Sequence, residues 1–472
     1  MTKRTRTFLF FACSAAFLIV APTVLLYNQG YRFDLNTYRI TKTGAFYFGI
    51  SPRGSDVFIN GQLKKRTDFF FGSALIEELL PGNYLVEIKK EGYFPWKKNL
   101  EVKAMAVTEE NNVVLFPEKT DFQIFAKGVE RFFPSPSGKK ALLQKKDSQG
   151  QYLTLFDFQN NIEKVFVREK DLYKKNGAVF FLDLQWSADS QKILMRYAIN
   201  EQEKIFWADT QQNPASPVAL DFLKDFEKVD FSPDSPNGRK FLGLKEQTLF
   251  SGDLDSKRTT EILNHVLAFG SLEGKIYLLE NSGFVFRIDS LAAAEKQKLN
   301  DVPLAVKDEV SYGLELSPSG LFLREADSLF LLAESPESIR GNEKTKSFVE
   351  ISESIRDFKI SPDKEKLAYF NNSEISIYFL KERVEQPQKK AGDRILLARF
   401  SQKISQLYWL NNDYLIFVVG DKIKISEIDD RDQPNVVEIA EFRSPQIFFK
   451  KDNKKASVLT ESNFLLSTNL LP

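Results

Sequence analysis

Histidine and cysteine most often carry catalysis or hold a transition metal, and this sequence has one of each. His265 lies in Leu263-Asn264-His265-Val266-Leu267, which reads as part of a strand. Cys13 lies inside the first apolar run, so the folded part of the chain has no disulfide and no thiolate nucleophile or ligand. Zinc and copper sites of usual composition need several such ligands and are excluded. A Ser-His-Asp triad would have to use His265, and no Gly-x-Ser-x-Gly elbow accompanies it. The sequence carries no P-loop and no dinucleotide fingerprint.

Carboxylate chemistry remains. Two positioned acids suffice to hydrolyse a glycoside, and Asp429, Asp430 and Asp432 could supply them or hold calcium. The same cluster reads more simply as a solvated loop. Asp189, Asp234 and Asp363 are explained by the turns in which they sit. No catalytic, cofactor-binding or metal-ligating residue is therefore assigned. No cofactor is expected, and the chain is expected not to be an enzyme.

Those turn acids belong to a repeat. FFPSPSGKKALL from Phe132, LQWSADSQKILM from Leu184, VDFSPDSPNGRKFLGL from Val229, LELSPSGLFL from Leu314 and FKISPDKEKLAYF from Phe358 share one cadence. Each is an apolar stretch, a Ser-Pro-Asp-like turn, polar residues and a second apolar stretch. Weaker copies are LAFGSLEGKIYLL from Leu267, LYWLNNDYLIFVV from Leu407 and IFFKKDNKKASVL from Ile447. The turns fall about 39 to 52 residues apart, near the length of a four-stranded propeller blade. Proline fixes φ, and Ser or Asp side chains bond nearby amides, which reverses the chain between two strands. Later strands follow in Glu374–Tyr378 and Lys422–Ile425, and 43 phenylalanines suit apolar faces that stack blade on blade. The pattern resembles the Ser-Pro-Asp-Gly repeats of TolB-type propellers, relatives of the WD-repeat class, although no Trp-Asp pair closes the units. An array of β-sandwiches is the structural rival. Eight blades are expected, with seven as the alternative. The eighth copy offers strands at Gln446–Phe449, Ala456–Thr460 and Phe464–Ser467. Asp121–Ala126 is expected to pair beside the last of these and close the propeller.

A smaller β-unit precedes the repeats. Asp56–Ile59 runs into Asn60-Gly61, a tight hairpin signal. Pro81-Gly82 makes a second turn. Beyond it Tyr84, Val86 and Ile88 alternate with Leu85, Glu87 and Lys89, as in a strand with one buried face. Leu100 and Val102 begin another strand, and Val113–Phe116 supplies the last. Ser51-Pro52-Arg53-Gly54-Ser55-Asp56-Val57-Phe58-Ile59-Asn60-Gly61, Leu80-Pro81-Gly82-Asn83-Tyr84 and Glu91-Gly92-Tyr93 resemble the PEGA domain. Ser55 replaces that family's usual Ala, and Thr67-Asp68 replaces its Thr-Pro. The resemblance implies a microbial surface protein and does not supply a catalytic activity. Lys64-Lys65-Arg66, Lys89-Lys90 and Lys97-Lys98 read as solvated surface. Trp96 and the Phe69–Phe71 run read as core or interdomain packing, with an exposed apolar patch as the alternative.

What must hold these domains in place is the N-terminus. Thr7–Tyr27 is an uncharged run of twenty-one residues, enough for a transmembrane helix. Lys3, Arg4 and Arg6 precede it and favour a cytoplasmic N-terminus. The run ends in Leu25-Leu26-Tyr27 rather than in small residues, so an uncleaved signal anchor is expected over a cleavable signal peptide. Phe10-Phe11-Ala12 match a lipoprotein cleavage site poorly, which leaves Cys13 as a membrane-buried cysteine. Lys plus Arg number 65 against 64 Asp plus Glu, so no basic field exists to hold nucleic acid.

The expected organisation is all-β: a cytoplasmic tip and transmembrane anchor over 1–28, a polar linker over 29–44, a PEGA-like β-domain over 45–119 and a β-propeller over 120–472. The expected function is a membrane-anchored, extracytoplasmic binding or scaffold protein that presents the propeller to a protein, peptide or glycan. The alternative is a carboxylate-dependent envelope polysaccharide hydrolase that uses the propeller funnel.

Overall fold

A computed structural model describes residues 3–35, 38–68, 70–172, 179–212, 215–235, 237–289, 291, 295–334, 345–449 and 454–471. The chain forms two compact units, one of Met1–Gln123, Lys359–Ser457 and Leu466–Pro472, the other of Ile124–Phe358 and Val458–Leu465.

The first unit begins with helix α1 (Lys3–Asn28), which carries Pro22 in its interior. Thr23 Oγ1 donates to Ile19 O at 2.7 Å within the same turns. Among the described residues, Thr5–Asn28 is the one helix long and apolar enough to cross a membrane. The stretch expected to be a polar linker is instead a hairpin, β1 (Tyr31–Asp34) against β2 (Arg39–Lys42), with Phe33 opposite Ile40. Its apolar residues give it strand character despite its short length.

A sandwich follows. Strands β3 (Gly44–Ser51), β6 (Ser73–Leu79) and β9 (Val107–Val114) form a sheet in the order β6-β3-β9. Strands β4 (Asp56–Ile59), β5 (Gln62–Arg66), β7 (Gly82–Lys89) and β8 (Trp96–Val102) form the other in the order β5-β4-β7-β8. Phe46, Phe48, Ile76 and Val113 from one sheet meet Val57, Ile59, Val86, Ile88 and Leu100 from the other in a buried core. Each such side chain contributes roughly 1.5–3 kcal/mol by leaving water. Asn60 and Gly61 turn the β4–β5 hairpin at φ 49° and 78°, conformations those two residue types tolerate.

The remaining described strands make eight four-stranded sheets, seven of which take their strands in plain sequence order. These seven span 129–168, 179–219, 228–263, 266–298, 312–352, 357–399 and 404–441. All eight repeated turns fall between the first and second strands of a sheet. At 187–192, Ser187 N–H donates to Lys192 O at 2.8 Å, and Lys192 N–H donates to Ser187 Oγ at 2.8 Å. The Ser187 hydroxyl in turn donates to Asp189 at 2.5 Å, and Ser232 with Asp234 repeats the pair. Pro236 and the turn residues 450–453 lie outside the described set.

The eighth sheet has the order Phe122–Lys127, Asn463–Ser467, Ala456–Thr460, Gln446–Phe449. Phe122–Lys127, here β10, therefore completes the last sheet from the N-terminal side, as expected. Thr468 N–H donates to Asp121 O at 2.9 Å. The Phe464 ring stacks on Phe132 at 4.5 Å and lies 6.1 Å from Phe125. Eight such sheets define an eight-bladed β-propeller, which sets aside the seven-bladed alternative and the sandwich array. Within the second unit, neighbouring blades bury Leu142 with Met195, Leu194 with Phe241, Leu242 with Phe269 and Leu279 with Leu323. Within the first, Phe370 and Phe417 belong to one cluster between the sixth and seventh blades.

Candidate functional site

Strand β8 alternates buried and exposed residues, with Trp96, Lys98, Leu100 and Val102 on its buried face. That period places an ammonium group where an apolar side chain would ordinarily sit. Lys98 lies 2.7 Å from Glu427 and 3.5 Å from Asp429 of the seventh blade, and its side chain is fully covered. Trp96 Nε1 donates to the same Glu427 at 2.7 Å. Arg431 pairs with Asp429 at 2.8 Å and also with Glu110 of β9. Tyr414 Oη accepts from Val114 N at 2.9 Å. Buried charges are tolerated only when paired in this way, because removing one partner of such a pair costs about 3–5 kcal/mol.

Burial is the main cause that raises the Glu110 carboxyl well above the usual range, followed by a hydrogen bond and the charge of Asp429. Burial also acts to raise Asp429, but hydrogen bonds with Glu110 and Arg431 and the nearby Lys98 charge outweigh it and hold Asp429 low. Burial likewise raises Asp413, which pairs with Arg383 at 3.2 Å and accepts from Asn112 Nδ2 at 3.0 Å. This is a junction that fixes the sandwich to two blades; the space among its charged groups is about 20 Å³, and a cleft of about 450 Å³ borders it at Asn112 and Asp413.

The acid cluster is divided. Asp429 is buried in the junction, Asp430 is half-buried and pairs with Lys389 at 2.6 Å, and Asp432 is exposed and accepts from Asn99 N and Nδ2, both at 2.8 Å. The solvated-loop reading fails for Asp429 and holds for the exposure of Asp432. Lys98, read as solvated, is the junction's central cation. Trp96 does pack between domains. His265 stands in the link between two strands rather than in one, at φ 65°, with Nδ1 3.3 Å from Asn281 Nδ2.

Phe70 and Phe71 are exposed, against the packing expected of them, and Phe69 lies outside the described residues. Asp68 builds their loop by accepting from the amides of Phe71, Phe70 and Ser73 and from the Ser73 hydroxyl. Those bonds, the Phe71 amide first, hold its carboxyl well below the usual range.

A cleft of about 970 Å³ opens in the second unit. It runs along the first strands of the third, fourth and fifth blades, at Lys228, Val266–Phe269 and Tyr312–Gly313, and takes in the approach segment from Val306. A neighbouring cleft of about 310 Å³ shares Glu227 and Lys228 with it and reaches Asp183, Gln185 and Arg196. Lys228 Nζ donates to Phe269 O at 2.8 Å and lies 4.6 Å from that ring. Gln185 Nε2 donates to Asp230 at 2.9 Å, so first strands of adjacent blades are bonded side by side. Tyr312 Oη accepts from Lys307 N at 2.8 Å, and the bond that the Lys307 ammonium donates to Glu325 raises its pKa above the ordinary lysine value. Glu227 accepts from Glu246 N at 3.0 Å. The lining mixes Lys228, Gln247, Asn281, Asp308 and Ser311 with Val266, Leu267 and Phe269. Its size lies at the upper end of small-molecule sites. Cleft residues come from separate repeats, so no local motif announces them in the sequence.

No family model matches the chain, and no curated relative matches it. Similar solved structures include the Dos1 propeller, at 12% identity over 74% of this chain and 94% of that one, TM-score 0.44. The Myceliophteria thermophila Cps50 (Swd1) β-propeller domain is 13% identical over 64% and 96%, TM-score 0.38. Porphyromonas gingivalis dipeptidyl peptidase 4 is 8% identical over 71% of this chain and 56% of that one, TM-score 0.43. The propeller assignment rests on the strand order of the chain itself.

Proposed function

We propose that the protein is a single-pass membrane protein whose extracytoplasmic propeller binds a protein, peptide or glycan in the cleft along its third to fifth blades, without turnover. The cleft carries this reading. It offers cations, amides, hydroxyls, carboxylates and apolar surface together, which suits recognition of a varied surface more than one reaction. The hydrolase reading loses its named acids, because Asp429, Asp430 and Asp432 are engaged elsewhere. The PEGA resemblance of residues 51–93 agrees with a surface location. The buried junction gives the anchored sandwich a fixed grip on the sixth and seventh blades.

The test is a photo-crosslinking amino acid placed at Tyr312 in living cells, with Lys164, on an outer strand of the first blade, as the control position. A discrete adduct at position 312 that Lys228→Glu abolishes is the expected result. The same adducts at both positions would remove the cleft from consideration.

A further inference from the structure

The β1–β2 hairpin exposes an apolar cluster of unusual density for a water-facing element. Phe33, Leu35, Tyr38 and Ile40 are 53%, 73%, 78% and 59% exposed. Phe33 and Ile40 face each other across the ladder, and the Tyr38 ring packs edge-on against Phe33 at 6.5 Å. In water this patch costs free energy on a hairpin too small to need it.

Its position relative to α1 says what covers it. The apolar helix Thr5–Asn28 has 24 residues, about 36 Å of helix against a hydrocarbon layer of roughly 30 Å. Its C-terminal end therefore emerges at headgroup level. Two residues later the hairpin begins, and its base is fastened to that end. Arg32 Nη1 donates to Tyr27 O at 2.7 Å, and its guanidinium lies 3.3 Å from the Tyr27 ring. Thr43 N–H donates to Gly30 O at 2.9 Å. Arg32 also pairs with Glu78 of β6 at 2.8 Å. A four-residue strand reaches only about 13 Å, so the hairpin stays near the interface. Aromatic side chains are favoured at that depth, and Arg39 and Lys42 on β2 suit lipid phosphates.

We propose that this hairpin is a second membrane contact. Phe33, Leu35, Tyr38 and Ile40 enter the headgroup–acyl boundary of an anionic phospholipid leaflet, while Arg39 and Lys42 meet its phosphates. The inference rests on the membrane-anchor reading of α1 and adds to it a foot that fixes the rotation of the sandwich over the bilayer.

The experiment uses the full chain in a Cys13→Ser background, reconstituted in phosphatidylcholine–phosphatidylglycerol vesicles. An environment-sensitive fluorophore is placed at Phe17→Cys, Tyr38→Cys, Ile40→Cys or Lys164→Cys, all exposed positions. Lipids with a spin label high on the acyl chain should quench positions 38 and 40 about twofold or more and leave 164 unchanged. Deep spin labels should quench 17. Quenching at 17 with none at 38 and 40 overturns the hairpin contact and leaves the anchor standing. Blue-shifted emission at 38 and 40 without lipid quenching also overturns it, in favour of a protein surface. Absence of quenching at 17 removes the anchor and the hairpin contact together.

Discussion

At the junction, two cations, Lys98 and Arg431, face three carboxylates, Glu427, Asp429 and Glu110. Burial, with the hydrogen bond and charge of Asp429, favours the protonated form of the Glu110 carboxyl. Its folded proton affinity exceeds the unfolded one. Its contribution to stability is therefore full below the ordinary glutamate value of 4.5 and is lost as pH rises through the raised folded value. Asp429 has the opposite sign: its contribution is present above the ordinary aspartate value of 3.8 and is lost as pH falls. The junction is therefore most stable between those two limits. Glu110→Gln cannot ionise, so urea midpoints of the variant should gain on the wild type as pH rises from about 5 to 8. A constant difference across that range would place the proton elsewhere. Lys98 was readable in principle, because it shares the parity of Trp96, Leu100 and Val102. Its neighbour Lys97 is exposed, and the Lys97-Lys98 pair read as a solvated cluster hid the alternation. Its carboxylate partners, more than three hundred residues away, leave no local trace.

Strand β10 shows how much one hydrogen bond decides. A ladder continued without a bulge from the Thr468 N–H to Asp121 O bond pairs Asp121, Gln123 and Phe125, and the Phe125–Phe464 contact fits that register. On that register the N–H of Ile124 points away from the sheet, and its side chain is 54% exposed. Proline is tolerated on edge strands where the N–H faces solvent. Gln123→Pro should therefore cost on the order of 2 kcal/mol or more through a lost ladder bond and a distorted backbone, with Ile124→Pro costing less than half as much. Thermal denaturation of both variants in detergent checks the order, and equal losses would refute the parity. The closing strand and its partners were legible because the eighth repeat had only three strand candidates. Ser-Pro-Asp-like turns located five blades because the Ser hydroxyl, with proline in four of them, encodes the reversal locally, and the other three blades were read from weaker copies of the same cadence. The β1–β2 hairpin was not legible, since two four-residue strands fall below any periodic signal. Nor was the exposure of Phe70 and Phe71, where an Asp68 turn overrides the usual preference of phenylalanine for a core.

For the whole chain, the expected orientation across a membrane rests on α1. Among the described residues no second helix is long and apolar enough to cross, so on a single-pass reading everything after Asn28 lies on one side. Three basic residues flank each end of the run: Lys3, Arg4 and Arg6 before it, Arg32, Arg39 and Lys42 after it. The two sets do not weigh equally. Positive charge governs orientation when it lies in short segments, and long domains cross largely regardless of theirs. Lys3, Arg4 and Arg6 stand directly before the run, where such charge acts, whereas more than four hundred residues follow the helix. A basic tip before an apolar run is also the form that a secretion signal takes. Sandwich and propeller are therefore expected outside the cytoplasm. Cys13 is the lone cysteine and lies within the apolar run, so a single added thiol reports its own side. In a Cys13→Ser background, a membrane-impermeant maleimide should label Lys164→Cys in intact spheroplasts and Thr2→Cys only after lysis. Labelling of Thr2→Cys in intact spheroplasts, with Lys164→Cys protected until lysis, would reverse the orientation and return the cleft to the cytoplasm.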